Sequence, residues 1–280
     1  MDNIRSGLII ESIELASLGK TQQKIKSDVK NYDSCKVTTV YVINKEHAKA
    51  LGKEIGEYIT VEFEKAYQIT DSDFDNVVDV LASEISRFTN CHKGKRVLVA
   101  GIGNKNITAD SIGPKSIERI IVTRALENTE FISSDCFGNV SAISADVFGV
   151  TGVESAELIK GLSYVLNPSL IIVIDALATT SLSRLCKTVQ ISNTAITPGG
   201  GVDNARQQIS STSLDVPMLS IGMPTVIDVE SITKIKDKNL IVTPVRIDDA
   251  TDVGAKMIAF ALNKALHNNL STEDILKFLY

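Results

Sequence analysis

The chain has 280 residues, of which 44% are hydrophobic and 22% charged, and its formal net charge at pH 7 is −5. These proportions are typical of a folded globular protein and argue against a fibrous or intrinsically disordered chain. The acidic balance also argues against a broad nucleic-acid-binding face, because such faces carry clustered lysine and arginine.

The first third of the chain predicts strands and helices after a loosely ordered beginning. Residues 1–35 alternate short apolar stretches with polar residues and predict no regular element. Runs of β-branched residues predict strands, Asn44 is placed to cap a short helix, and apolar residues at helical spacing predict a longer one. The predicted elements are a strand at 37–43, a helix at 45–51, a strand at 58–63 and a helix at 71–88.

The remainder of the chain contains two unbroken apolar runs, residues 96–100 and 170–174, which are typical of strands buried on both faces. Helical stretches alternate with strands here, which favours right-handed crossovers and parallel pairing. We therefore expect an α/β fold, a single domain with a mostly parallel sheet covered by helices on both faces. The other predicted elements are helices at 114–126, 153–166 and 248–266 and strands at 188–191, 217–221 and 240–243.

Cysteine usage and hydropathy predict a reducing, cytoplasmic location. No apolar run approaches the roughly 18 residues that span a bilayer, and the N-terminal residues contain no apolar signal core. The cysteines are scattered and form no CxxC pair, which predicts reduced thiols rather than disulfides or zinc ligands. They are Cys35, Cys91, Cys136 and Cys186.

Two aspartates follow the two apolar runs. Asp110 lies in the loop after the first run, and Asp175 comes directly after the second. Ligands of doubly wound sheets bind beyond the carboxyl ends of the strands, so we expect these carboxyl groups to share one site. Burial and mutual repulsion would raise the pKa of one of them and leave a single shared proton. Such a pair can hydrolyse a peptide bond, the ionised member activating water and the protonated member polarising the carbonyl and assisting the leaving amine.

Simpler roles remain open for these and for the supporting candidates. An aspartate before a helix can serve only to cap it. The Gly-rich loop can either rim the substrate site or form a plain turn, and the polar candidates can either orient the site and bind peptide backbone or stabilise turns. These candidates are Asn104, Thr108, Glu154, Gly199, Gly200 and Gly201.

Other chemistries lack their motifs. Gly101 and Gly103 begin a dinucleotide-loop pattern, but Asn106 stands where its third glycine belongs. Phosphate-loop and Gly-x-Ser-x-Gly sequences are absent, and we expect no cofactor and no metal. The histidines, expected at the surface away from the strand ends, do not supply the base that a serine or cysteine nucleophile needs. They are His47, His92 and His267.

Several motifs between residues 95 and 267 resemble, in order, those of the spore germination protease family. The segment 101–104 with 108–114 is similar to the family's glycine-asparagine and TPDALGP motifs, and 174–178 reads IDALA as in the family. Further matches lie at 122–124, 140–154, 198–204, 221–228 and 240–244.

The resemblance implies an endopeptidase that begins degrading small acid-soluble spore proteins at germination, located in the cytoplasm of the forespore and spore core. It implies an atypical aspartic protease whose proposed catalytic pair maps onto Asp110 and Asp175. It also implies a homotetramer and a fold shared with phosphorylases and hydrogenase maturation proteases. No nucleic acid or membrane partner is implied.

The family is made as a zymogen that removes its own propeptide. By resemblance, residues 1–7 are the propeptide and the Gly7–Leu8 bond is cleaved, although Gly7 stands where the family has an acidic residue. Residues 8–94 then form the N-terminal part, and 95–267 the core that carries the catalytic motifs. Thr180 likewise stands where the family has an arginine.

Two alternatives come from other functional classes. A non-catalytic homologue would bind spore proteins without cleaving them, and it is favoured by the departures at Gly7 and Thr180. A wider resemblance to hydrogenase maturation endopeptidases, in the GxGN opening and the strand-end ID, suggests a metal-dependent processing peptidase.

Overall fold

The computed structural model describes residues 6–18, 25–90, 94–128, 137–199, 206–233, 240–268 and 270–279. Within these residues one sheet runs through the molecule, with helices packed on both of its faces. The helices are α1 (Ile9–Leu18), α2 (Lys45–Leu51), α3 (Asp71–Thr89), α4 (Ile112–Ile117), α5 (Phe148–Thr151), α6 (Ser155–Leu166), α7 (Ser211–Leu214), α8 (Val229–Ile232), α9 (Ile247–Leu266) and α10 (Thr272–Leu279). The strands are β1 (Lys26–Asn31), β2 (Cys35–Val42), β3 (Gly56–Phe63), β4 (Arg96–Ile102), β5 (Asn139–Ala145), β6 (Leu170–Thr179), β7 (Thr188–Ser192), β8 (Met218–Asp228) and β9 (Ile241–Val242).

The sheet is mixed. Its order in the described residues is β1-β2-β3-β7-β8-β6-β4-β5, with β9 added to β8. Parallel pairing joins β8, β6, β4 and β5, while the remaining pairs are antiparallel. The α/β class is therefore confirmed, and the expected parallel arrangement holds for the part built from the two apolar runs. The strands β1 and β2 are joined by residues 32–34 alone, a connection too short for the crossover that parallel pairing needs.

The central strands are buried on both faces, as their unbroken apolar runs predict. Val97 and Val99 of β4 point into a core formed with α3, α4 and α9. Leu98 and Ala100 point to the other face, into a core formed with α6 and α7. Side chains alternate along a strand, so each of these strands needs apolar residues at every position.

Two glycines let α4 pack directly on β4. A Cβ at Gly101 would lie 2.3 Å from the carbonyl oxygen of Gly113, and a Cβ at Gly113 would lie 2.2 Å from that of Ile102. Real Cβ atoms do not approach backbone oxygen so closely, so glycine is required at both positions. This contact fixes the two ends of the loop that carries Asp110.

The prediction of a loosely ordered beginning is wrong. Residues 9–18 form α1 and residues 26–31 form β1. Ile9 is fully buried against Val40 and Leu51. These residues are distant in sequence, so the local pattern around Ile9 does not predict the contact. The strand β5 and the helix α10 were also not predicted, and the helix expected over 114–126 ends at Ile117.

The prediction of surface histidines is wrong for the two that the structure describes. His47 is 8% exposed and His267 only 1%. The Nδ1 atom of His267 accepts a hydrogen bond from Gly138 N at 3.2 Å, so Nε2 carries the proton and donates to the carbonyl oxygen of Ile121 at 3.1 Å. Burial lowers the pKa of His267 to about 4, so the ring is neutral at physiological pH. His92 lies outside the described residues.

The reduced thiols are confirmed for Cys35 and Cys186, which are free and buried. Cys91 and Cys136 lie outside the described residues. Among the helices that the structure describes, we find none with both the length and the apolar character needed to cross a bilayer.

Candidate active site

Asp110 is held by a loop that folds back on itself. Gly103 has φ +131°, and a Cβ there would lie 1.9 Å from the carbonyl oxygen of Asp110. The backbone N–H of Asn104 donates to Asp110 Oδ2 at 2.7 Å, and Thr225 on β8 ties the loop to the sheet by donating to Ala109 O at 2.6 Å. Asp110 is consequently fixed above the carboxyl end of β4 and remains half-buried.

Asp175 lies inside β6 rather than at its end. The strand continues to Thr179, paired with β8 alone, because pairing with β4 stops at Ile174. The side chain is 4% exposed, and its Oδ1 accepts a hydrogen bond from Ala176 N at 2.8 Å. Asp175 therefore lies just past the end of the β4–β6 pairing. The loop that follows β4 covers this place.

Both aspartates line one cleft of about 620 Å³. We call this space the cleft. Its walls include Asp110, Asp175, Lys53, Gln190, Gly199 and Gly222. The two aspartates thus share one site as expected, but Asp175 lies within β6 and not at a strand end.

The two carboxyl groups differ in proton affinity. Burial raises the pKa of Asp175 well above its usual value, and the charge of Asp110 raises it further. Burial also raises the pKa of Asp110, but the Asn104 N–H stabilises its ionised form. Asp110 therefore gives up its proton first, and the resulting charge makes Asp175 the group that keeps one.

Neither carboxyl group caps a helix in the described structure. The helix α4 begins after Ser111, whose side chain makes no capping bond, and Asp110 turns instead toward Asn104. Asp175 is in the middle of a strand. The capping alternative is therefore not favoured for either residue.

A third carboxylate near Asp110 was missed by the sequence analysis. Asp146 directly follows β5, the strand beside β4, and its charge contributes to the raised pKa of Asp110. The rule that selected Asp110 and Asp175, that ligands bind beyond the carboxyl ends of the strands, also points to Asp146, because this residue follows β5. It was missed because β5 was not predicted.

The supporting candidates are placed differently from one another. Thr108 Oγ1 donates to Asp248 Oδ1 at 2.9 Å, which joins the loop to the start of α9. Glu154 precedes α6, and its N–H donates to Glu157 Oε2 at 3.1 Å, an arrangement that stabilises a helix start. Neither is among the residues that line the cleft, so the structure does not bring them to the aspartates.

The three glycines of the Gly-rich loop and Asn104 complete the set. Gly199 lines the cleft with φ +68°, a backbone conformation suited to glycine. Gly200 and Gly201 lie outside the described residues. Asn104 reaches Asp110 through its backbone, while its side chain accepts a hydrogen bond from Asn106 N at 2.9 Å.

The expected processing bond, Gly7–Leu8, is also at the cleft. Gly7 lines it, and Gly7 N donates to Ala178 O on β6 at 3.0 Å. Leu8 is fully buried. Lys53 and Gln190, which contact this segment, were not predicted, because they come from parts of the chain that carry no motif and meet the cleft only after folding.

Among the described residues, no group of three or more histidine, cysteine, aspartate or glutamate side chains is arranged to hold a metal ion.

Comparison with known proteins gives one consistent family. A family model described as germination protease matches residues 12–237. The germination protease of Clostridium perfringens is 35% identical over an alignment of 324 residues that covers 100% of both chains. That of Caldanaerobacter subterraneus subsp. tengcongensis is 44% identical over 204 residues, covering 71% of this chain and 62% of the relative.

Among solved structures, the chain is similar to the NiFe hydrogenase maturation protease HycI from Thermococcus kodakarensis KOD1. The TM-score is 0.40 and the sequence identity 17%, and the match covers 64% of this chain and 98% of that one.

Proposed function

The chain belongs to the germination protease family and is a peptidase, and we propose that it is the endopeptidase that begins the degradation of small acid-soluble spore proteins. We propose that the full 280 residues act as one protease domain, with 95–267 carrying the catalytic motifs and 8–94 completing the cleft. The assignment to one substrate class is supported by the motif resemblance along the chain.

In the proposed mechanism Asp110 is the base and Asp175 the acid. The ionised Asp110 takes a proton from water as the water oxygen adds to the carbonyl carbon of the peptide bond. The protonated Asp175 polarises the carbonyl and then gives its proton to the amine nitrogen as the C–N bond breaks. The observation that carries this assignment is the position of both carboxyl groups in one cleft, with the pKa of Asp175 held up by burial and by the Asp110 charge.

Replacing either aspartate by asparagine tests the mechanism. Asp110→Asn and Asp175→Asn are expected to keep the fold and to lower cleavage of a purified small acid-soluble spore protein by at least about 10²-fold, since each removes one proton-transfer group. Fragments are followed by gel electrophoresis and mass spectrometry. Asp28→Asn, at an exposed position on β1, is the matched control and is expected to keep wild-type activity. Full activity in Asp175→Asn would reject the role assigned to that residue.

We propose that the chain is made as a zymogen that loses residues 1–7 by cleavage of the Gly7–Leu8 bond. This proposal is supported by the position of Ser6 and Gly7, which line the same cleft as Asp110 and Asp175, and by the hydrogen bond from Gly7 N to Ala178 O on β6. Residues 1–5 lie outside the described part of the chain.

We also propose a homotetramer that acts in the cytoplasm of the forespore and spore core. The tetramer is supported by the family resemblance and by apolar side chains left exposed on the monomer. On α6, Tyr164 is 70% and Val165 73% exposed. Apolar side chains exposed next to one another are typical of surfaces that bind a partner.

A further inference from the structure

The N-terminal segment is held in the cleft through its main chain. Gly7 O accepts hydrogen bonds from Lys53 Nζ at 2.9 Å and from Gln190 Nε2 at 3.0 Å. Two residues further on, Ile9 N donates to Gln190 Oε1 at 2.7 Å. A single glutamine amide thus pairs with the carbonyl of Gly7 and with the N–H of the first residue of α1, and neither bond depends on a side chain of that segment.

Gln190 and Asp175 lie in one row across the sheet. Gln190 pairs with Gly222 between β7 and β8, and Gly222 pairs with Asp175 between β8 and β6. Residues paired across strands point to the same face, and two strand spacings amount to about 10 Å. Both side chains line the cleft, so the glutamine amide is on one side of Gly222 and the carboxyl group on the other.

Gly222, between them, leaves room for the Leu177 side chain to pack over the strand. A Cβ at this position would lie 2.6 Å from Leu177 Cγ and 2.9 Å from Asp175 O. A Cβ at Gly7 would likewise lie 3.1 Å from Leu177 Cβ, so the same leucine side chain packs against Gly7 and over Gly222. The Gly7–Leu8 bond, whose carbonyl is held by Gln190, therefore lies beside Leu177, which is two residues from Asp175 on the same face of β6.

Lys53 supplies a positive charge at the same carbonyl. Its Nζ also donates to Ser6 O at 3.1 Å, so the ammonium group lies between two consecutive carbonyl oxygens. Burial lowers the pKa of Lys53 to about 8, an effect that the nearby charge of Glu11 opposes. The group is thus mainly protonated at neutral pH. Two donors, one of them charged, on a single carbonyl oxygen form the arrangement that stabilises an oxyanion.

We propose that Lys53 and Gln190 bind the carbonyl oxygen of the peptide bond that is cleaved and stabilise the oxyanion formed on it. This role rests on the proposed function. When water adds to the carbonyl carbon, its proton passes to Asp110 and the C=O π electron pair moves onto the oxygen held by Lys53 and Gln190. When that pair returns, the C–N bond breaks and the amine nitrogen takes the proton of Asp175.

Kinetics of the substitutions Lys53→Met and Gln190→Leu in the full chain test the proposal. Each is expected to lower kcat for a small acid-soluble spore protein by about 10²-fold, because each removes one oxyanion donor, while KM changes much less. Lys53→Arg keeps a cation and is expected to retain more activity than Lys53→Met. The matched controls are Lys49→Met and Gln68→Leu, which are exposed and outside the cleft. Circular dichroism establishes that each variant is folded.

Self-cleavage of the Gly7–Leu8 bond provides a second readout. In the intact chain this bond already lies in the cleft, so no substrate-binding step precedes its cleavage. The first-order rate of self-cleavage is therefore expected to fall in Lys53→Met and Gln190→Leu by as much as kcat does. Unchanged kcat with a raised KM, or no change in either, would overturn the oxyanion role while leaving the proposed function intact. A wild-type chain that cleaves neither itself nor a spore protein would reject the proposed function, and the oxyanion role with it.

Discussion

The two aspartates have the same chemistry and different surroundings. Asp175 is almost fully buried within the sheet, whereas Asp110 is half-buried and accepts a hydrogen bond from the backbone N–H of Asn104. Desolvation penalises the charged form of a carboxyl group, and a hydrogen bond to that form favours it. The environment therefore gives the two carboxyl groups different proton affinities, as the proposed base and acid roles require.

A raised pKa at Asp175 makes folding stability depend on pH. Below about pH 4 the carboxyl group is protonated in both the folded and the unfolded chain. As the pH rises, the unfolded chain loses this proton while the folded chain keeps it, so the free energy of unfolding falls. Asp175→Asn removes this effect, and we expect its Tm at pH 7 to exceed that of wild type by on the order of a few °C, with a smaller difference at pH 4.

Thermal unfolding followed by circular dichroism at the two pH values measures this difference. Asp28→Asn, at an exposed position, is expected to show neither the increase nor its pH dependence. A loss of stability in Asp175→Asn at pH 7 would mean that the buried carboxylate is ionised and stabilising.

At the scale of elements, the loop after β4 depends on one glycine. Gly103 combines a φ of +131° with close contact to the backbone of Asp110. An alanine there would force the loop away from the sheet and break the Asn104–Asp110 hydrogen bond. Backbone conformations that only glycine adopts easily cost other residues about 1–3 kcal/mol.

Gly103→Ala is therefore expected to lose at least about 1 kcal/mol of unfolding free energy and most of its activity. Urea denaturation and spore-protein cleavage measure the two effects. Gly161→Ala is the matched control, because a Cβ at this position on α6 meets nothing within 4 Å. Alanine favours helix over glycine by about 1 kcal/mol, so the control is expected to be at least as stable as wild type. Equal behaviour of the two variants would contradict the role of the loop.

The helix α1 is attached to the end of β6 by a buried glutamate. Glu11 is 1% exposed, and its Oε2 accepts hydrogen bonds from Thr180 N at 2.9 Å and Thr180 Oγ1 at 2.8 Å. Thr179 donates to Glu11 Oε1, and Arg184 lies 3.7 Å from the same oxygen. The threonine at 180, a departure from the family pattern, thus binds Glu11. These contacts fix the helix that follows the segment in the cleft.

At the scale of the whole molecule, the cleft lies between the two halves of the mixed sheet. The parallel strands β4 and β6 position Asp110 and Asp175, whereas Gln190 comes from β7 and Lys53 from the loop before β3. The proposed binding and cleavage of a peptide therefore use residues from both sides of this boundary. The position of residues 6–8 at this boundary connects the whole-molecule architecture to the proposed processing of the chain.

The proposed processing has a direct readout in the mass of the chain. Mild acidification followed by drying is expected to yield a product that has lost residues 1–7, detected by mass spectrometry of the intact protein. The Asp175→Asn chain treated in parallel is expected to keep its full mass, because the proposed acid is missing. Cleavage of wild type at another bond would contradict Gly7–Leu8 as the processing site.

The sequence by itself determined the α/β class and the buried central strands, and it selected the two aspartates for the proposed site. These rest on local signals: unbroken apolar runs require a strand covered on both faces, and Asp110 and Asp175 come after such runs. The glycines around Asp110 belong to the same local signal, since Gly101, Gly103 and Gly113 are required by backbone contacts within one short segment.

Only the tertiary structure decided three features: the antiparallel half of the sheet, the formation of α1 and β1, and the presence of Lys53 and Gln190 in the cleft. In sequence, Lys53 lies 46 residues from Gly7 and Gln190 lies 183 residues from it, and neither belongs to a motif. Hydrogen bonds such as those of Gln190 with Gly7 and Ile9 join residues far apart in sequence. No local periodicity encodes such pairs, because they form only when packing of the whole chain brings their elements together.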